Sequence, residues 1–337
     1  MITVKHGVFH LQNEKSSYLF RVRDGFLEHL HLGTRLSASD ADALAVRPGN
    51  GWGDSTLYRE GSNANCLDIF PLEWSGCGRG TLEIPYKEVT VTSYDGLCLF
   101  GKCYFANKSA PWLIMMHGYR SGAERDFCGG LKFGIEAGFN VLLVDQRAHG
   151  KSEGKCLTFG IKERRDCLSW VNYVVSKAGE NCEIVLYGMS MGAATVLMAA
   201  GLDLPRNVVG IVADCGYSSP KAIIKKVIRE MHYPVFPTYF LVRLGGMLFG
   251  GFDIEETSAA AAMDGCDIPV LFIHGDDDRF VPCDMGRENH KHCRSAGKKI
   301  LVVPAAGHGM SYMTDKKAYL GTVSEFLKAV LKNGLQN

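Results

Sequence analysis

Apolar residues fall into two textures along the chain. Up to about residue 86 they come in short alternating stretches broken by turn residues. "SYLFRV" and "FLEHLHL" flank Arg23-Asp24-Gly25, and this pattern predicts a hairpin with glycine in its turn. The stretch from Gly33 to Asn65 is rich in Gly, Ser, Asn and Asp and predicts loop. From about Tyr86 the texture changes to short, nearly continuous apolar runs that alternate with longer segments of helical period. "EVTVTS" and "LCLFGKCYF" predict a strand pair across Tyr94-Asp95-Gly96. Buried strands follow at 112–117, 140–145, 183–188, 208–214, 268–275 and 299–304. Helices are predicted at 124–137, 161–178, 191–202, 284–296 and 315–332. Strands alternating with helices imply a mostly parallel sheet covered on both faces, hence an α/β fold after a small β-rich N-terminal segment.

One stretch interrupts this order. About 50 residues separate the strands at 208–214 and 268–275, and much of that interval is apolar. Its greasiest part, "YPVFPTYFLVRLGGMLFGGF" (233–252), is broken by Arg243, two prolines and four glycines. A membrane span needs about 20 residues without such breaks, so a helical lid over about 216–263 is expected instead. The segment order gives two domains, a β-rich appendage over 1–86 and an α/β domain over 87–337.

Composition narrows the possibilities. The 337 residues are 46% hydrophobic and 22% charged, and the net charge is +1. Such a balance gives no reason to expect a nucleic-acid partner or an acidic membrane surface. The first twenty residues show no long apolar core and no small-residue cleavage site, so no leader is expected. Twelve scattered cysteines without a Cys-x-x-Cys pair then point to reduced thiols in the cytoplasm. His290, His292 and Cys293 lie within four residues on a polar helix, a weak zinc pattern better explained as a solvated face. No metal is expected.

The chemistry concentrates at "LYGMSMGAA" (186–194). Ser190 stands between Gly188 and Gly192, with a strand before it and a helix after it. A nucleophile elbow needs that sequence: strand, sharp turn, helix, and small neighbours around a strained serine. An acid and then a histidine follow at the ends of later strands, in "FIHGDDDRFVP" and "PAAGHGMSY". His308 lies on a glycine-flanked loop, where its ring can be positioned as a general base.

Residues 87–332 resemble an α/β-hydrolase, and within that superfamily the serine hydrolases and esterases related to Bem46-type proteins. The motifs that carry the resemblance are "MMHGYRSG", "DQRAHGKSEG", "YGMSMGAAT", "FIHGDDDRFVP" and "AGHG", in the family's order. The resemblance implies Ser190 as nucleophile, His308 as base and then acid, and Asp278 as the third member. Gly275, Val281 and Pro282 fix Asp278 in the family's pattern, leaving Asp276 and Asp277 as turn or orienting residues. Asp214, at the end of an earlier strand, is the second candidate acid. The backbone N–H groups of Tyr119 and Met191 are expected to form the oxyanion hole. Arg147 and His149 are read as structural, and Ala148 replaces the family's more common glycine. Lid residues such as Phe240 and Phe249 are candidates for an acyl pocket, with lid core as the alternative.

These residues imply a serine carboxylesterase that acts on small acyl esters and needs no cofactor. Two alternatives remain: a serine peptidase of the aminopeptidase type, and a non-catalytic binding protein on the same scaffold. At the N-terminus, "YLFRVRDGFLEHLHLGTRL" and "LDIFPLEWSGCGRGTLEIP" resemble the opening of the β-sandwich of family-36 α-galactosidases. The catalytic barrel of those enzymes has no counterpart in the chain, so no glycosidase activity is implied. Trp52 and Trp74 could stack on sugars or be buried. The oligomeric state is open.

Overall fold

The computed structural model describes residues 2–5, 8–23, 26–34 and 85–332. The chain divides into two compact units, Met1–Leu82 and Glu83–Asn337. In the first, β1 (Ile2–Lys5), β2 (Val8–Gln12), β3 (Ser16–Arg23) and β4 (Phe26–Thr34) form a four-stranded antiparallel sheet in sequence order. The expected hairpin is β3–β4, registered from Arg23 opposite Phe26 to Ser16 opposite Thr34. Phe9 and Phe20, directly opposite on β2 and β3, stack with ring centroids 4.8 Å apart. The turn residues Asp24 and Gly25, the segment 67–84, Trp52 and Trp74 lie outside the described residues.

The second unit is built on eight strands: β5 (Lys87–Thr92), β6 (Cys98–Tyr104), β7 (Trp112–Met116), β8 (Asn140–Val144), β9 (Ile184–Met189), β10 (Val208–Asp214), β11 (Val270–Gly275) and β12 (Lys299–Val303). Their order across the sheet is β12-β11-β10-β9-β7-β8-β6-β5. Only β5–β6 and β6–β8 are antiparallel. The central strands are apolar along their whole length because both faces are covered. Every residue of β7, β8 and β11 is buried.

The covering helices match the helical periods of the sequence with local differences. The predicted helix at 124–137 is two pieces, α1 (Ala123–Asp126) and α2 (Cys128–Glu136), because Phe127 leaves helical geometry between them. Then come α3 (Glu163–Ala178) and α4 (Met191–Ala199), the latter buried on all sides. The long insertion forms α5 (Pro220–Glu230), α6 (Val235–Gly245), a π-helical turn (Gly246–Gly250) and α7 (Ala259–Met263). The chain closes with α8 (Cys283–His292), α9 (Ser311–Thr314) and α10 (Lys316–Val330). Much of the insertion belongs to the core: Ile223, Ile224 and Ile228 of α5 and Ala259, Ala262 and Met263 of α7 are buried against the main hydrophobic cluster. Among the described residues no helix is long and apolar enough to cross a membrane.

In this topology β9 lies near the middle, between β7 and β10, and all three run parallel. Their carboxyl ends, with those of β11 and β12, open on one edge, where open α/β sheets bind ligands.

Candidate active site

Ser190 caps α4 directly after β9, with φ 54° and ψ −115°. An L-residue holds that conformation at a cost, and local packing enforces it. A Cβ on Gly188 would come within 2.2 Å of the Gly192 carbonyl oxygen. One on Gly192 would come within 1.8 Å of the Met116 carbonyl oxygen. Strand and helix therefore pack backbone to backbone. The neighbouring strand fixes the turn, since the Ser190 N–H donates to the Asp214 carbonyl at 2.8 Å. Ser190 is 7% exposed.

Ser190 Oγ lies 2.9 Å from His308 Nε2, and His308 Nδ1 lies 2.7 Å from Asp278 Oδ2. The donors follow from the partners. A carboxylate only accepts, so Nδ1 carries the proton toward Asp278, and the unprotonated Nε2 accepts from the serine hydroxyl. The two glycine-rich loops that deliver acid and base brace each other. Asp276 Oδ1 accepts from the Ala305 N–H at 2.6 Å, and the Asp277 N–H donates to the Ala306 carbonyl at 3.1 Å. A Cβ on Gly275 would meet the Ala306 carbonyl oxygen at 2.1 Å. Asp276 thus ties the two loops together, while the exposed Asp277 pairs with Arg279 at 3.1 Å.

Asp278 is held as a carboxylate. Its Oδ1 accepts the Phe280 and Val281 N–H groups at 3.0 and 2.8 Å. Burial pushes its pKa up, but His308 and His274 together outweigh burial and hold it well below the usual carboxylate range. For His308 the balance runs the other way: burial lowers the imidazole, and the adjacent Asp278 raises it above its ordinary value.

The other candidate acid, Asp214, is fully buried and has a different partner. Its Oδ2 accepts from the Tyr319 hydroxyl at 2.8 Å, and Tyr319 in turn meets Tyr187. Burial drives the Asp214 carboxyl up to about 6, against the opposing pull of Tyr319. It makes no hydrogen bond to His308 among the described residues.

The loop after β7 is immobilised at three points. His117 Nδ1 donates to the Gly118 carbonyl at 2.8 Å, and its Nε2 accepts from the Gln146 N–H at 3.1 Å. Burial lowers His117 to about 4, so it stays neutral. Asp126 Oδ2 takes the Gly118 N–H at 2.6 Å, and His149 Nε2 takes the Arg120 N–H at 3.2 Å. Between these two bonded amides, the Tyr119 N–H has no acceptor among the described residues, and neither does that of Met191. A Cβ on Gly118 would lie 3.3 Å from Ser190 Cβ, which puts this loop beside the serine. Arg147 works further out: it binds Asp166 at 2.6 and 2.7 Å and Asp95 at 2.8 Å, joining α3 to the β5–β6 turn.

Among the described residues, no hydrogen bond or ring contact joins Phe240 or Phe249 to Ser190, His308 or Asp278, and both stand on the lid surface. They are 56% and 91% exposed on α6 and the π-helical turn. Two residues of the site were missed in the sequence. Asp126 holds Gly118 from eight residues away, with no local signature. His274, buried at the end of β11, has Nε2 2.8 Å from the Val281 carbonyl and 3.4 Å from Asp278 Oδ2. An imidazole inside the apolar run "VLFIHG" was the available signal for it.

The chain is similar to several known proteins. A family model described as serine aminopeptidase, S33, matches residues 109–241. The protein YqkD of Bacillus subtilis is 32% identical over 57% of this chain, and the match spans 63% of YqkD. Bem46 of Schizosaccharomyces pombe is 26% identical, over 65% of this chain and 68% of its own length. The crystal structure of the Pyrococcus furiosus esterase Pf2001 superposes with a TM-score of 0.61 at 25% identity, covering 73% of this chain and 92% of the esterase. The chain has the α/β-hydrolase fold and is similar in sequence to Bem46. In this hydrolase Ser190 stands at the strand-to-helix turn the fold uses for a nucleophile. The loop after β7, which bears Tyr119, leads into the helices that cover the hydrolase sheet.

Proposed function

We propose that this hydrolase is a serine carboxylesterase of small acyl esters, with Ser190, His308 and Asp278 as its catalytic triad. The observation that carries the reading is the unbroken chain of hydrogen bonds from Ser190 Oγ through His308 to Asp278. In the acylation step His308 Nε2 takes the hydroxyl proton as Ser190 Oγ bonds to the ester carbonyl carbon. The carbonyl oxygen becomes an oxyanion that the Tyr119 and Met191 N–H groups, without acceptors among the described residues, would receive. The intermediate collapses, the C–O bond to the alcohol breaks, and His308 returns the proton to the leaving oxygen. Water then repeats the sequence on the acyl-enzyme and releases the acid. Asp278 stays ionised throughout. It holds the imidazole in its Nδ1–H tautomer and balances the imidazolium charge.

The description of the matching family model favours a second reading, a serine aminopeptidase. Parallel assays of p-nitrophenyl acetate and butyrate against aminoacyl p-nitroanilides separate the two. The esterase reading expects turnover of the esters that vanishes in Ser190→Ala. Faster turnover of the anilides overturns it in favour of the peptidase.

A further inference from the structure

The segment between α5 and α7 has its polarity reversed. Residues 233–249 contain one charged side chain, Arg243, which is 36% exposed and tied to acids of the segment that follows. Arg243 binds Asp253 at 2.7 and 2.8 Å and Glu255 at 3.2 Å. Tyr239, one turn before it, is buried, and its hydroxyl donates to Glu255 at 3.0 Å. The outward side is apolar. Phe240, Leu241, Leu244 and Leu248 recur at spacings of one, three and four, which share one helical face, and all are exposed. Phe236 and Leu248 are 81% and 68% exposed, and Phe249 stands out furthest. A helix on a water-facing surface shows the opposite arrangement, and an exposed apolar strip of this length marks a binding surface.

The border of the strip is basic. Helix α5 packs against α6 and carries Lys221, Lys225 and Arg229 four residues apart on one face. Lys225 Nζ sits 4.7 Å from the centroid of the Tyr239 ring, next to Phe240 in the chain. The nearby acids are committed elsewhere: Glu255 to Lys221 and Arg243, Asp253 to Arg243, and Glu230 to Lys226. Neither Lys225 nor Arg229 has an acidic partner among the described residues.

We propose that the outward face of α6 and the π-helical turn docks on an anionic phospholipid surface. The aromatic and leucine side chains enter the acyl boundary, and Lys225 and Arg229 meet the head groups. A helix lying in the interface needs this pairing of an apolar face with a basic margin. At eleven residues, α6 is too short to span a bilayer, and in-plane docking does not require it to. A two-fold contact between copies fits less well, since it would gather both basic ridges around one apolar seam. The docking rests on this surface alone and not on ester hydrolysis.

The test is sedimentation of the full chain with vesicles of phosphatidylcholine, with and without phosphatidylglycerol. The expected result is pelleting with the anionic vesicles, weakened by salt as surface charges are screened. Leu241→Asp combined with Leu248→Asp lowers partitioning about tenfold or more, since a charge there is costly in the acyl region. Lys225→Glu with Arg229→Glu lowers it on anionic vesicles only, and Ser190→Ala pellets like the wild type. Far-UV circular dichroism verifies that each variant is folded. As a second measurement that needs no disruptive change, Phe249→Trp gains fluorescence that brominated lipids quench beyond the wild-type level. Three results overturn the proposal: no pelleting at low ionic strength, pelleting unaffected by the aspartates, or a wild-type dimer by light scattering that the aspartates dissolve without any vesicle binding.

Discussion

At the residue scale, proton placement governs the candidate site. His308 must be neutral to accept from Ser190, and Asp278 raises its pKa above the ordinary 6.5. The value of kcat/KM for p-nitrophenyl acetate is therefore expected to rise with pH through a midpoint above 6.5. Replacing Asp278 by Asn removes the main upward influence and leaves burial, which lowers the imidazole, opposed by the carboxylates of Asp214 and Asp126, so the midpoint moves down. The same change lets the ring adopt the wrong tautomer. In a serine protease triad that substitution lowers kcat by about 10⁴, and a loss of that order is expected for Asp278→Asn. Asp276→Asn keeps an oxygen for the Ala305 N–H and should cost far less. Asp214→Asn is expected to leave most activity, because Asp214 is bonded to Tyr319; a larger loss there than at Asp278 would reassign the acid. A fluorophosphonate is expected to label Ser190 alone, as read by peptide mapping. Ser152 is tied to the Asp145 carbonyl at 2.6 Å, and Ser311 is fully buried.

At the element scale, two places test how the site is built. A methyl group at residue 192 has no room beside the Met116 carbonyl, so Gly192→Ala forces β7 and α4 apart. The expected cost is about 1–3 kcal/mol, as for overpacked cores, visible as a lower melting temperature together with lost labelling of Ser190. Arg147→Ala leaves Asp166 buried without its partner, and breaking such a pair costs about 3–5 kcal/mol. Denaturant unfolding should show that loss, with little change in the kcat of whatever remains folded. Much of this architecture was legible in the sequence. Apolar runs bounded by glycine located β7 to β12 within a residue or two, and the glycines around Ser190 predicted its turn. What was not legible depends on direction in space. Periodicity puts Phe240 and Leu248 on one face of a helix but does not say whether that face meets core or solvent. In the structure that face is exposed, while Arg243 and Tyr239 of the same helix are tied to Asp253 and Glu255. Asp126 and His274 escaped for a similar reason, since each acts on a backbone or carboxylate that only the folded chain brings near.

At the scale of the whole molecule, the residues proposed for catalysis all lie in the second unit, from Tyr119 to His308. We predict that a truncated chain starting near Tyr86 keeps its turnover per Ser190 labelled by fluorophosphonate. A soluble, labelled truncate without turnover would overturn this prediction. Within the second unit the proposed triad is spread unevenly. Ser190 follows a central strand, whereas His308 follows β12, which among the described residues pairs with β11 alone and forms one edge of the sheet. Three of the five β12 residues are only partly buried, and one is exposed. Edge elements open at lower free energy than the core they adjoin. Fraying of β12 would withdraw the histidine while the other seven strands and their helices persist. Mild denaturant should then abolish ester turnover before the far-UV signal changes, and amide exchange at Ile300 and Leu301 should outrun that at Leu186 and Val212. Enzymatic life and structural integrity would fail at separate thresholds, with the margin between them set by a single ladder of hydrogen bonds.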